Sequence, residues 1–174
     1  TRRTMQKNAF TLIELIVVMV IIGIAALLAV PMIGSAADVQ VRSAANMIAA
    51  DLDYAKSMAI STQQNYSVVF NPAEEKYEVR DAGGTVIDHP LKPGSDFEVN
   101  FKIDSRLSRV DIVTADFDPD SQPSVTFDYL GSPYSGTGAG ASSLDSGVIT
   151  LQADSFTMTI TVEPMTGYVT ITVP

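Results

Sequence analysis

The N-terminal region contains a long apolar stretch, in which residues 15–30 have no polar side chain. The wider segment 10–33 would span about 36 Å as a helix, which exceeds the roughly 30 Å of a bilayer core. Three basic residues precede it, and the next one after it is Arg42. The positive-inside rule therefore predicts a transmembrane helix with a cytoplasmic N-terminus and an exported C-terminal domain.

A secretory signal peptide is the competing interpretation, because it too places basic residues before an apolar run. It would be removed by cleavage after a small residue, and Ala25, Ala26 and Ala29 are available. Hydropathy alone leaves both interpretations open. Glu14 favours a retained helix, since an unpaired carboxylate in lipid costs about 2.5–3.5 kcal/mol and so indicates that this charge has a partner.

Beyond Pro31, apolar residues recur every three or four positions, which predicts an amphipathic helix that ends near Ser61. The apolar positions are Val41, Ala44, Ala45, Ile48, Leu52, Ala55 and Ala59. Polar residues such as Asn46 and Asp53 lie off this stripe. We expect the stripe to pack on a sheet of the same domain rather than on lipid or a partner.

After Gln64, short runs rich in β-branched and aromatic residues alternate with turn residues. The predicted strands are residues 66–70, 77–80, 97–103, 111–114, 124–128, 148–151, 157–163 and 168–173. A helix followed by strands predicts an α+β fold, with a long N-terminal helix packed on a largely antiparallel sheet. Residues 131–147 are polar and rich in Gly and Ser, which predicts a long mobile loop.

Charge limits the classes of partner. The 174 residues carry a net charge of −9, with 11 Lys and Arg against 20 Asp and Glu. The cations Arg2, Arg3 and Lys7 all precede the apolar run, and the remaining residues carry −12. Because such an acidic domain repels phosphate backbones, we expect no nucleic-acid partner. Cysteine is absent, which excludes disulfides and thiolate chemistry.

Histidine and glycine patterns indicate no enzyme. The single histidine, His89, precedes Pro90 in a turn-like stretch, which predicts an exposed loop residue without the surroundings of a catalytic base. Gly136, Gly138 and Gly140 lack the Lys-Ser/Thr pair and the helix that a phosphate loop requires. We expect a flexible loop there and no cofactor.

Three alternating aspartates resemble the start of a calcium-binding loop. They are Asp116, Asp118 and Asp120. Pro119 interrupts the pattern, and Phe127 stands where the bidentate glutamate of such a loop is expected. The favoured interpretation is a solvated acidic turn without a metal, and calcium binding is left open.

The run from Lys7 to Pro31, KNAFTLIELIVVMVIIGIAALLAVP, resembles the cleavage and assembly signature of type IV pilins and of the pseudopilins of type II secretion. The resemblance implies that a membrane-embedded prepilin peptidase cuts between Ala9 and Phe10 and that Phe10 is N-methylated. It also implies that Glu14 pairs with the N-terminal ammonium of a neighbouring subunit. The family usually has glycine before the cut, so Ala9 predicts slower processing.

Three later segments, residues 50–60, 125–133 and 147–171, resemble the H-type minor pseudopilin. The resemblance implies a leader at residues 1–9, a transmembrane and assembly helix at 10–33, and an exported pilin-like domain at 34–174. It implies an inner-membrane protein with its domain in the periplasm. Its partners would be the prepilin peptidase and the other pilins or pseudopilins of a filament that drives protein secretion.

Two other functions stay open on the sequence. A minor pilin of a type IV pilus, acting in pilus initiation or DNA uptake, would share the same N-terminal signature. A membrane-anchored binding module could use the Gly- and Ser-rich loop for recognition. Glu14 and Phe10 argue against the binding module, because a simple anchor requires neither.

Overall fold

The structure, a computed structural model, describes residues 11–29 and 36–173. It divides into two units, Thr1–Ser35 and Ala36–Pro174. Helix α1, Leu12–Ala29, belongs to the first unit. The second unit begins with helix α2, Ala36–Thr62, and continues entirely with strands and turns. This arrangement confirms the predicted α+β class.

Two antiparallel sheets and one hairpin follow α2. The strands are β1 (Tyr66–Asn71), β2 (Lys76–Arg80), β3 (Asp88–His89), β4 (Lys92–Asp96), β5 (Glu98–Asn100), β6 (Asp111–Asp118), β7 (Ser124–Phe127), β8 (Pro133–Ser135), β9 (Ser142–Ser143), β10 (Ser146–Ala153), β11 (Phe156–Val162) and β12 (Val169–Thr172). One sheet has the order β5-β2-β1-β7-β8-β9, and the other has the order β12-β11-β10-β6. Strands β3 and β4 form the separate hairpin.

The predicted apolar stripe of α2 forms one side of the core. All seven predicted positions are buried, and Ala37 extends the stripe by one turn. Strands from both sheets contact α2, chiefly β11, β1, β10 and β12. Buried residues such as Val68, Ile149 and Ile160 face the core from those strands. The expectation that the stripe packs on the domain's own sheet is therefore confirmed.

The predicted strand at residues 97–103 is shorter than expected. The strand within it is Glu98–Asn100, which pairs with β2. The Asn100 side-chain oxygen accepts a hydrogen bond from the Lys102 amide at 2.9 Å. The Asp104 side chain accepts one from the Arg106 amide, also at 2.9 Å. Such side-chain bonds favour turns over strands. Phe101 is nevertheless fully buried, so the apolar pattern predicted its burial but not its backbone conformation.

The prediction of a long mobile loop at residues 131–147 is wrong. The segment contains β8, a 3-10 turn at Gly138–Gly140, and β9, and it completes the edge of the six-stranded sheet. Ser135 is fully buried because its hydroxyl donates to the Phe117 carbonyl oxygen. Leu144 is also buried. Partners distant in sequence satisfy the polar groups that would otherwise keep this segment in water.

Candidate assembly site

Thr11 caps the first turn of α1 at its N-terminal end. The Thr11 hydroxyl accepts the Glu14 amide at 3.3 Å, and the Thr11 carbonyl accepts the Leu15 amide at 3.2 Å. The spacing Thr-x-x-Glu is that of a capping box. The helix dipole also favours a carboxylate in this turn. The cap therefore fixes the start of the helix and places Glu14 in its first turn.

From Leu12 to Ile24, α1 has exposed apolar side chains on every face. The large apolar residues from Leu12 to Ile24 are 46% to 79% exposed. A helix that is apolar all round is normally covered by lipid or by other helices. Glu14 is the acidic residue of its first turn. The helix thus has an exposed apolar surface with one charged residue, Glu14, in its first turn.

The predicted membrane segment extends past both ends of the described helix. Among the residues that the structure describes, no helix has both the length and the apolarity needed to cross a membrane. Residues 10 and 30–33 of the segment lie outside the described residues, as do both cleavage-site residues, Ala9 and Phe10. Of the predicted site residues, Glu14 is the one that the structure places.

An open groove of about 690 Å³ lies beside α2 in the second unit. Asp51 and Met47 of α2 line it, together with His89, Lys92 and Ile103. The Tyr77 hydroxyl donates to Asp51 Oδ2 at 2.6 Å. This bond ties α2 to β2. No local pattern predicts this bond, because the two residues are 26 positions apart.

The Asp51 and Tyr77 side chains have shifted proton affinities. Burial raises the pKa of Asp51 above its ordinary value, and the hydrogen bond from Tyr77 opposes that rise. Burial raises the pKa of Tyr77 well above its ordinary value, and the negative charge of Asp51 raises it further. Tyr77 is therefore a hydrogen-bond donor at neutral pH, so the pair is a structural link.

His89 is not the exposed turn residue that the sequence predicts. It lies in the short strand β3, is half-buried, and packs on the Phe97 ring with 4.5 Å between ring centroids. Its Nδ1 accepts the Leu91 amide at 3.1 Å. Over the described residues, no group of three or more His, Asp or Glu side chains could hold a metal ion. Asp116 and Asp118 lie in β6, paired with β10.

Two family profiles match the sequence. Residues 4–30 match the prokaryotic N-terminal methylation motif. Residues 44–167 match the type II transport protein GspH. No curated protein sequence matches the chain significantly.

The solved structures that the chain matches include a minor pseudopilin and a minor pilin. The minor pseudopilin EpsH from the type 2 secretion system of Vibrio cholerae is 11% identical, with a TM-score of 0.49 over 78% of this chain and 98% of that one. The type IV minor pilin FimU of Pseudomonas aeruginosa is 12% identical in one crystal form, with a TM-score of 0.45 over 77% of this chain and 87% of that one.

Family membership rests on the sequence profiles. The GspH profile covers well over half of the chain, from the first third of α2 to the turn before β12. The methylation motif covers the part that precedes α2, including Ala9, Phe10 and Glu14. Together they confirm the resemblance drawn from the sequence: the chain belongs to the GspH family of type II transport proteins, the pilin-like minor pseudopilins.

Proposed function

We propose that this chain is cut between Ala9 and Phe10, stays in the inner membrane through the segment that contains α1, and joins a periplasmic secretion filament by that segment. The observation that carries the proposal is the capped first turn of α1, which holds Glu14 at the start of a helix with exposed apolar residues on every face. The second unit has a core of its own. It does not need α1 to cover its stripe.

Polymerisation, not turnover, is the mechanism that these features support. Lipid covers the apolar surface of α1 before assembly, and neighbouring helices cover it afterwards. The cut would create an ammonium group at Phe10, four residues before Glu14. In an apolar filament core, the ammonium of one subunit and the Glu14 carboxylate of the next would relieve each other's desolvation. The charge would then favour a fixed register between helices.

Deletion of the gene tests this function in the bacterium that produces the protein. Export of type II secretion substrates should stop, while surface pili should still assemble. Complementation with the wild-type gene should restore export. Normal export without the gene would contradict the proposal, and loss of pili with intact export would instead support the alternative of a minor pilin.

A further inference from the structure

Exposed apolar side chains cluster at the end of α2 farthest from Ala36, where two turns of the sheet reach the helix. We call this cluster the distal patch. Its members are Ile60, Tyr129, Leu130, Met165 and Tyr168. Their exposed fractions range from 45% for Ile60 to 82% for Met165. Grouped aromatic and aliphatic side chains are typical of protein-binding surfaces, whereas single exposed ones are ordinary.

Two glycines lie where the turns that carry the distal patch pack closely on α2 and on each other. Gly131 and Gly167 both have positive φ, at 84° and 58°. A Cβ on Gly131 would lie 3.0 Å from Ile60 Cδ1, and one on Gly167 would lie 3.1 Å from the Gly131 carbonyl oxygen. The Lys56 ammonium donates to the Gly167 carbonyl at 2.9 Å. The two turns are thus packed on α2 and on each other, which brings the segments that carry the patch residues together.

Hydrogen bonds within each turn fix the backbone that carries Leu130 and Tyr168. Asp128 Oδ1 accepts the Leu130 amide at 2.9 Å and the Ser132 amide at 2.8 Å. In the other turn, the Glu163 amide donates to the Tyr168 carbonyl at 2.8 Å. Apolar groups that are already positioned lose little conformational freedom on binding. The distal patch therefore has the pre-organisation of a docking surface.

Three acidic residues lie near the distal patch. Asp53, Asp128 and Glu163 flank it, while the Lys56 ammonium is engaged with Asp53 at 3.3 Å and with Gly167. Residues 36–174 contain 19 Asp and Glu against 8 Lys and Arg. A second copy would bring the same excess of negative charge, and like charges disfavour association. The complementary surface is apolar with a basic rim.

We propose that the distal patch docks a different subunit of the secretion filament, through an aliphatic side chain of that subunit flanked by lysine or arginine. This inference rests on the proposed function, because it takes the partner to be a subunit of the same filament. It adds a contact made by the exported domain to the contact made by the N-terminal helix. Leu130 and Met165 form its apolar centre, and Asp53 and Glu163 attract the basic rim.

Site-specific photocrosslinking in the full-length chain tests the inference in the producing bacterium. A photoreactive amino acid at Met165 should crosslink to another pilin-like subunit of the filament, identified by mass spectrometry. Leu130→Lys should lower that yield at least about tenfold, because it removes apolar contact and repels a basic rim. Leu130→Glu should lower it less, since it keeps the sign of the rim. A larger loss of yield for Leu130→Lys than for Leu130→Glu would show that charge complementarity, rather than unfolding, determines crosslinking.

Leu91→Lys is the matched control, because Leu91 is an exposed leucine, 85% accessible, in the tip of the β3–β4 hairpin. Its Met165 crosslink should equal that of wild type. Three outcomes would overturn the docking surface even if export still depends on the gene. They are crosslinks to a second copy, the absence of any filament subunit among the products, and equal yields for Leu130→Lys and wild type. Export that is independent of the gene would overturn the proposed function and this inference together.

Discussion

Helices α1 and α2 both carry many apolar residues but differ in how these residues are covered. Large apolar side chains of α1 from Leu12 to Ile24 are at least 46% exposed, whereas Val41, Ile48 and Leu52 of α2 are at most 1% exposed. The sheets of the same chain complete the burial of α2. The comparison separates apolar surface that the chain's own sheets bury, on α2, from apolar surface that stays exposed, on α1, for which we propose a role in assembly.

Among the variants considered, we expect Glu14→Ala to have the largest effect, because it tests the assembly role proposed for α1. Membrane insertion and cleavage should be intact, because removing the carboxylate makes the segment more apolar. Incorporation into the filament should fall, since breaking one side of a buried ion pair costs about 3–5 kcal/mol. Fractionation of membranes should then show cleaved monomer accumulating.

Glu14→Asp is the matched control, because it keeps the charge and shortens the side chain by one methylene. It should retain more assembly than Glu14→Ala. If Glu14→Ala assembled and supported secretion as well as wild type, the proposed pairing with a neighbouring ammonium would be wrong.

Leu52→Ala tests the folding side of the comparison. Leu52 is fully buried, so its truncation should lower the free energy of unfolding of a fragment of residues 38–174 by about 2–5 kcal/mol. Urea denaturation of the fragment measures this. We expect the wild-type fragment to be a soluble monomer that unfolds cooperatively, because its sheets cover the stripe. Aggregation of the fragment would mean that the stripe also serves as an interface between subunits.

Two valines on α2 allow the effect of burial to be compared with that of helix propensity. Val41 is fully buried and Val39 is 63% exposed, yet they are two residues apart in the same helix. Val41→Ala should cost about 2 kcal/mol through lost burial and the cavity it leaves. Val39→Ala should change stability by less than about 0.5 kcal/mol. Equal costs would show that helix propensity rather than burial decides the stability of this region.

Tyr77→Phe should cost about 1–3 kcal/mol at neutral pH. The ring remains, so packing is kept, while the half-buried Asp51 carboxylate loses its hydrogen-bond donor. Thermal or urea unfolding of the fragment measures the loss. The double variant with Asp51→Asn should cost less than the two single changes added together, because the pair acts as one unit. Strict additivity would contradict the link between α2 and β2.

The smallest predicted effect is a pH dependence from Asp51. Its pKa in the folded protein is raised above 3.8, so the folded state binds this proton more tightly than the unfolded state does. Asp51 therefore lowers stability as pH rises from about 3.8 through the raised pKa, and its full cost is present above that value. Asp51→Asn should remove this contribution. Denaturation curves at several pH values should show that the difference between the two proteins changes across this window and stays constant above it.

Local patterns in the sequence were enough to predict the helix and most of the sheet. The three-to-four-residue spacing of the α2 stripe predicted every one of its seven positions, because a single helix face decides their burial. Alternating β-branched residues predicted strands β1, β10 and β11 to within two residues at each end. The Thr-x-x-Glu signal for the Thr11 cap was also present in the sequence, but its meaning emerged only with the structure.

Contacts between distant residues could not be predicted. Ser135 is buried because a carbonyl 18 positions away accepts its hydroxyl, so composition alone wrongly suggested an exposed loop. The Asp51–Tyr77 bond and the packing of Gly131 against Ile60 likewise join segments that carry no shared sequence signal. The distal patch depends on such contacts, and for that reason only the structure places its members together.

Intact-protein mass spectrometry of the chain from membranes tests most directly whether α1 is kept for assembly. We expect a mature protein that begins at Phe10, carries one N-terminal methyl group, and retains Glu14 and the whole of α1. Ala9→Gly should be processed at least as fast as wild type, because glycine is the residue that the family usually has before the cut. A mature terminus after Ala26 or Ala29 would identify an ordinary secretory signal and show that α1 is not retained for assembly.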